Sequence, residues 1–298
     1  MDTVARFASI IQAPSAASVV DSPALKTLLK ACRLLPRGKG AVARLIGRLI
    51  LRDRILAHTM PGGYEMMWST RVIEQFSNAT GPGWDEPVLK AILSVLKPED
   101  VFYDVGANAG YMSLSVASHN LPNKIYAFEP LPELASALAA SALSNDFPDF
   151  TVVRAALADR DEVLEFFLPS HSIHASLVSR EQSSICMRVE GFRLDTLLEN
   201  AVVLPPRVIK IDVEGAEMHV FRGAQETLRK HKPALIFECD ENSLRFGHST
   251  EEVLGFLRDL GYNSFTLLED SKTTKIEIGE LSQAPFGDFL ALATSPRH

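Results

Sequence analysis

From residue 101 onward, short apolar runs alternate with longer amphipathic stretches. Residues 101–105, 124–128, 150–153, 163–167, 208–211 and 234–237 are runs of four or five, rich in β-branched and aromatic side chains and bounded by turn residues. Such runs are too short for buried helices and read as strands. Residues 85–96, 110–119, 132–145, 216–230 and 250–260 carry the helical period, and Gly261 suits the cap that closes the last of them. Two further strands, 264–268 and 289–293, follow with no helix between them, which predicts an antiparallel addition. Strands alternating with helices predict an α/β fold: a mostly parallel sheet with helices on both faces.

The first 95 residues read differently, as an extension to a catalytic domain spanning 96–298. Residues 1–24 are rich in Ala, Ser and Pro and read as poorly ordered. Residues 25–57 read as two helical segments broken between Pro36 and Gly40. In the second, Val42, Leu45, Ile46, Leu49, Ile50 and Leu56 recur at helical spacing beside Arg44, Arg48 and Arg52. Glycine pairs and Gly81-Pro82-Gly83 mark turns around Tyr64 and Trp68, which fit either packing of the arm on the body or a substrate wall.

Composition adds mainly exclusions. Over 298 residues, 46% are hydrophobic and 22% charged, which rules out a disordered, collagen-like or disulfide-framed chain. A net charge of −7 speaks against a protein that coats nucleic acid. That mean hides a split: residues 26–54 hold nine Lys/Arg and one acid, and the body is correspondingly acidic. The arm therefore reads as a covering helix, a homodimer contact or a peripheral membrane contact. Three scattered cysteines fit neither a disulfide framework nor a zinc site, and with no evident signal or membrane span the expected location is cytoplasmic.

The candidate chemistry lies at strand ends. Asp104-Val-Gly106-Ala107-Asn108-Ala-Gly110 joins a strand to a helix, where glycines permit a tight turn and free N–H groups face a ligand. Glu129-Pro130 ends the next strand, placed to accept hydrogen bonds from ribose hydroxyls. Lys210-Ile-Asp212-Val-Glu214-Gly215-Ala-Glu217 follows the buried strand 208–211; Glu217 there has a simple role at a helix N-terminus. Glu238 and Asp240 close the following strand and join the same acidic edge.

These motifs, with Ala155-Ala-Leu-Ala-Asp159 and Leu194-Asp195-Thr-Leu-Leu, together resemble the FkbM family of S-adenosylmethionine-dependent methyltransferases, from about Phe102 to Tyr262. The resemblance implies a Rossmann-like class I methyltransferase fold: a seven-stranded, mostly parallel sheet with an antiparallel C-terminal strand. It implies S-adenosylmethionine as cofactor and O-methylation of a hydroxyl on a sugar, glycan or small natural product. By the same resemblance Gly106, Ala107, Asn108 and Gly110 would wrap the methionine part, Glu129 would hold the ribose, and Ala156 and Leu157 would line the adenine; Asp104, at the carboxyl end of the first strand, and Pro130 are further cofactor-binding candidates. Asp212 would lie near the methionine amino group or the reacting centre. An alcohol acceptor needs its proton removed, and Asp212, Glu214 and His174 are the candidate bases. No spacing demands a metal, although Asp212, Glu214, Glu238 and Asp240 offer oxygen ligands. A nicotinamide-dependent oxidoreductase is the competing enzyme class, disfavoured by the glycine spacing and by the lack of a Tyr-x-x-x-Lys pair. A non-catalytic scaffold docking through the basic arm would have no need of Asp104, Glu129 and Asp212.

Overall fold

The computed structural model describes residues 3–12, 19–34, 39–50, 54–69, 73, 76–79, 85–119, 124–168, 185–269 and 273–293. The chain opens with α1 (Thr3–Ile10), β1 (Val19–Val20), α2 (Pro23–Ala31) and α3 (Lys39–Ile50). The hairpin β2 (Ile55–Thr59) and β3 (Glu65–Trp68), then α4 (Phe76–Ala79) and α5 (Glu86–Val95), complete the N-terminal third. Next come β4 (Val101–Val105), α6 (Tyr111–Ser118), β5 (Lys124–Phe128), α7 (Pro132–Ser144) and β6 (Phe150–Val153) in strict alternation. A small excursion holds β7 (Ala156–Leu157), β8 (Val163–Leu168), β9 (Ile185–Phe192) and α8 (Leu194–Glu199). The chain returns through β10 (Val208–Ile211), α9 (Glu217–Gly223), α10 (Gln225–His231) and β11 (Ala234–Cys239). It ends with α11 (Glu241–Arg245), α12 (Thr250–Asp259), β12 (Ser264–Leu268), β13 (Thr273–Ile276) and β14 (Gly287–Leu292).

The central sheet runs β13-β12-β14-β11-β10-β4-β5-β6. The five strands from β11 to β6 are mutually parallel; β14, β12 and β13 pair antiparallel in turn. This is the mostly parallel Rossmann-like sheet that the alternation predicts, with eight strands rather than seven. The eighth is β13, a hairpin partner on the outer edge whose polar Thr-Thr-Lys sequence gives no apolar run to read. The 163–168 strand does not join this sheet. It pairs antiparallel with β9, an unforeseen strand, in a separate sheet with β7.

Chain order reverses between β4 and β10. From β4 the chain winds outward through β5 and β6, then crosses back to β10 and β11 on the other side. Loops leaving β4 and β10 diverge there, and a crevice opens at the carboxyl ends of the strands. One apolar layer, with Phe221, Leu228, Leu254 and Phe237, covers one face. A second, with Ile92, Met112, Val116 and Phe102, fills the other beneath α5 and α6. The helix expected over 216–230 breaks at Ala224. Gly223 presses on the Ala158 carbonyl, where an added Cβ would lie 1.8 Å away. Buried Asp195 accepts the N–H groups of Glu226 and Thr227 at 3.1 and 2.9 Å, which caps α10 afresh.

The N-terminal segment departs most from expectation. Residues 3–12 form α1 and a bridge to β6, with Ile10 fully buried and the Gln12 N–H donating to the Val152 carbonyl at 2.9 Å. Phe7 packs on Phe192 and Arg6 pairs with Glu190, so this apolar face anchors what composition reads as disordered. The helix expected to reach residue 57 stops earlier. Leu56 lies in β2, because Ile55–Thr59 pairs with Glu65–Trp68 across the Gly62-Gly63 turn. Tyr64 and Trp68 are buried packing residues: the Tyr64 hydroxyl meets Ser115 at 2.8 Å and Trp68 lies edge-on to Phe76.

Candidate active site

A cavity of about 320 Å³ sits at the topological switch point. Gly106, Ala107 and Asn108 form one wall, Glu129 and Pro130 the second, Ala156 and Leu157 the third, and Lys210, Asp212, Glu214 and Glu238 the floor. Its size is in the ordinary range for a small-molecule site. Residues distant in sequence thus meet because each closes a strand at the same sheet edge.

The glycine loop is held by backbone geometry. Gly106 adopts φ +79° and its N–H, with that of Ala107, donates to the Phe128 carbonyl. An added Cβ would fall 1.9 Å from the Asp212 carbonyl oxygen, so only glycine lets the β4 and β10 loops touch. Glu129 is buried. One carboxylate oxygen accepts the Asn108 N–H at 2.9 Å and the other accepts the Leu131 N–H at 2.8 Å. Asn108 Oδ1, also at the cavity, is buried without a hydrogen-bond partner among the described residues.

Lys210 organises the floor. Its ammonium lies 3.3 Å from Asp104 Oδ1 and 3.1 Å from Asp212 Oδ2. Burial opposes its charge, but Asp104 and then Asp212 more than compensate and hold its pKa above the ordinary lysine value. Asp104 itself does not line the cavity, contrary to the expectation that it contacts the cofactor there. It is fully buried and accepts both the N–H and the hydroxyl of Ser113, so it acts through Lys210. Gly110 is also displaced from its expected role. It starts α6 with φ +88° and packs against Leu138 rather than the cavity.

Around Lys210 gather acids that chain distance conceals. Glu238 stands directly opposite Asp288 in the β11–β14 register. Burial, then Asp212 and Asp288, push the Glu238 pKa up to about 8. Burial, then Asp212 and Asp85, push Asp288 up to about 6, with Lys210 opposing. Asp85, ahead of α5 and in the segment read as extension, also lines the cavity. Glu217 lies beneath: it accepts the Val213 and Gly215 N–H groups at 3.1 and 3.2 Å and pins the loop carrying Asp212. That role differs from the simple helix-end complement expected of it.

Of the candidate bases, Asp212 and Glu214 both face the cavity, Glu214 in a left-handed conformation with φ 58°. His174 lies outside the described residues. Asp240 turns away from the floor: its carboxylate accepts the Asn242 and Ser243 N–H groups and caps α11. Among the described residues no group of three or more His, Cys, Asp or Glu is placed to hold a metal. Lys210, Tyr111, Phe166, Asp85 and Asp288 also belong to the site, with no role there expected of them from the sequence. Lys210 had a local signal, since it precedes Asp212 by two on a strand and shares its face. Asp288 had none.

A family model described as "Methyltransferase FkbM domain" matches residues 104–264. A hexuronic acid methyltransferase of Haloferax volcanii, AglP, is 26% identical over 196 residues, 63% of this chain and 77% of that protein. Among solved structures, an FkbM methyltransferase from Methylobacillus flagellatus aligns with a TM-score of 0.43 at 14% identity, covering 74% of this chain and 54% of that one. A putative methyltransferase from Streptococcus mutans, in complex with SAH, aligns with a TM-score of 0.41 at 11% identity, covering 70% and 96%.

Proposed function

The chain belongs to the FkbM methyltransferase family, and on that footing we propose that it transfers a methyl group from S-adenosylmethionine to a hydroxyl oxygen of a sugar. The observation that carries the reading is one cavity joining the glycine loop, Glu129 and the Ala156–Leu157 wall to the Lys210–Asp212 floor. The sugar class follows the relative from Haloferax volcanii, whose name gives hexuronic acid as its substrate.

The residues present fit the cofactor. The Glu129 carboxylate lines the cavity as an acceptor group suited to ribose hydroxyls, and Asn108 Oδ1, without a partner among the described residues, can accept from the bound molecule. Ala156 and Leu157 offer a flat apolar wall to a purine. A floor lined by Asp212, Glu214 and Glu238 suits a cation and repels the phosphates of a dinucleotide. Bound there, S-adenosylmethionine supplies an electrophilic methyl group on a cationic sulfur.

The chain's own part is positioning and proton removal. Asp212 is engaged by Lys210 at 3.1 Å, which fixes it as an orienting charge. Glu238, with a pKa near 8, has the proton affinity to take up the acceptor's proton near neutral pH. Glu238→Gln is expected to abolish the rise in kcat/KM through about pH 8; a profile like that of the parent would remove Glu238 from the reaction. The same variant has a stability signature. Glu238 is raised in the fold, so its contribution is most favourable below its unfolded pKa and is lost as pH climbs from about 4.5 through 8. Glu238→Gln should therefore raise the melting temperature at pH 9 and leave it nearly unchanged at pH 4.

Calorimetry tests the cofactor: heat on adding S-adenosylmethionine, and none with NAD, is expected, while the reverse overturns the reading. Glu129→Ala should weaken cofactor binding by about 1–3 kcal/mol, the scale for hydrogen bonds to a charged group. Unchanged affinity would refute the ribose role. Transfer of labelled methyl to free hexuronic acids and hexoses, with the position found by mass spectrometry, tests the acceptor; label on nitrogen or carbon rules out O-methylation.

A further inference from the structure

Helix α3 carries more apolar surface than the protein covers. Ala43 is buried, and Ile46 packs partly against the cluster around Trp68 and Phe76. Leu45 and Leu49 remain 58% and 67% exposed, with Val42 and Ile50 exposed beside them. Val42, Leu45 and Leu49 are spaced three and four residues apart, so they stack along one stripe of the helix. Leu34, just before α3, is 85% exposed. Single exposed aliphatic residues are ordinary, but successive turns of one helix presenting them form a patch.

Charge surrounds that patch. The segment 26–54 holds nine Lys/Arg and one acid in a chain of net −7. Arg44 and Arg48 belong to the same helical segment of the sequence as the stripe. Within the basic segment Lys26 pairs with Asp21, and Arg54 donates to the Ile50 carbonyl and keeps its charge.

We propose that α3 seats the protein on an anionic lipid bilayer, with Val42, Leu45 and Leu49 in the acyl boundary and the basic residues at the headgroups. A bilayer supplies negative charge and an apolar phase in one plane, which matches a strongly basic segment whose helix exposes an aliphatic stripe. A second copy of this chain fits less well. A two-fold contact would set two segments of net +8 against each other. The proposal is independent of the methyl-transfer reading, since none of its residues lines the cavity.

Flotation of the full chain with vesicles tests it. Binding to phosphatidylcholine vesicles containing about 30% phosphatidylglycerol, but not to phosphatidylcholine alone, is expected, with loss in high salt. Leu45→Glu combined with Leu49→Glu should weaken binding about tenfold or more, with an unchanged melting temperature because both side chains are already exposed. Arg44→Ala with Arg48→Ala should weaken it comparably and flatten the salt dependence. No vesicle binding, equal binding to neutral and anionic vesicles, or parent-like binding by the Glu variant would each overturn the proposal. So would light scattering that shows the Glu variant converting a dimer to a monomer, since the stripe would then be a contact between copies.

Discussion

Lys210→Met is expected to lower stability by about 3–5 kcal/mol, the scale for removing one partner of a buried ion pair. Asp104 is fully buried and faces the Lys210 ammonium at 3.3 Å, leaving Ser113 as its other donor. Without the ammonium, the Asp104 carboxylate has no compensating charge, so it must protonate or draw water into the sheet. Urea denaturation at pH 7 measures the loss, and a change under about 1 kcal/mol would contradict it. A second variant separates charge from shape. Lys210→Met combined with Asp104→Asn removes both charges, so it should recover much of the loss, and the double-mutant cycle should give a coupling of at least about 1 kcal/mol. The pH dependence has a definite sign. Lys210 has a raised folded pKa, so its stabilisation is complete below the ordinary lysine value and is lost only as pH climbs beyond it. In the variant, by contrast, a protonated buried Asp104 costs stability as pH rises, so the parent–variant difference should widen between pH 6 and 9.

Gly106→Ala is expected to cost about 2–5 kcal/mol, combining a left-handed backbone on a residue with a Cβ and an overpacked contact. The new methyl would lie 1.9 Å from the Asp212 carbonyl oxygen, a backbone atom that moves only if the β10 loop moves. Cofactor binding should fall with stability, because that displacement separates the glycine loop from Asp212. Gly247→Ala is the matched control. Its φ is +80°, yet nothing lies within 4 Å of the added Cβ, so it should show only the backbone cost of about 1–2 kcal/mol. Equal melting temperatures for the two variants would mean that the loops yield and that close approach at Gly106 is unimportant.

Much of the catalytic body was legible before any coordinates. The strands at 101–105, 124–128, 150–153, 208–211 and 264–268 fall where short apolar runs place them. α12 begins at a Ser249–Glu252 capping box and its C-terminal turn closes at Gly261, φ +94°. These are local decisions, fixed by side-chain period, capping groups and backbone freedom within a few residues. The motif residues Gly106, Glu129 and Asp212 were legible for a related reason: each sits where a strand ends, and in a parallel sheet strand ends collect at one edge. The errors have equally physical sources. Residues 3–12 look unstructured by composition, yet Phe7 packs on Phe192 of β9 and Ile11 bridges Val153 of β6, both remote in sequence. Asp104 and Gly110 look like ligand contacts because they belong to the motif, but one is spent on Lys210 and Ser113 and the other on Leu138.

The sequence by itself determined an α/β chain with a glycine loop, an acid closing the second strand, an acidic sheet edge and a basic arm. Only the tertiary structure decided how those charges act. Insertion of β14 beside β11 sets Asp288 opposite Glu238, and the β10–β4 pairing brings Lys210 against Asp104. The carboxyl with a pKa near 8 is therefore a product of strand order and burial, as is the lysine held charged within the sheet. The exposed stripe of α3 has the same origin, since periodicity marks an apolar arc but only packing determines how much of it the protein covers. Charge–charge energies and solvent exposure depend on distances through space, and chain spacing does not encode those beyond the next turn of helix or the next residue of strand.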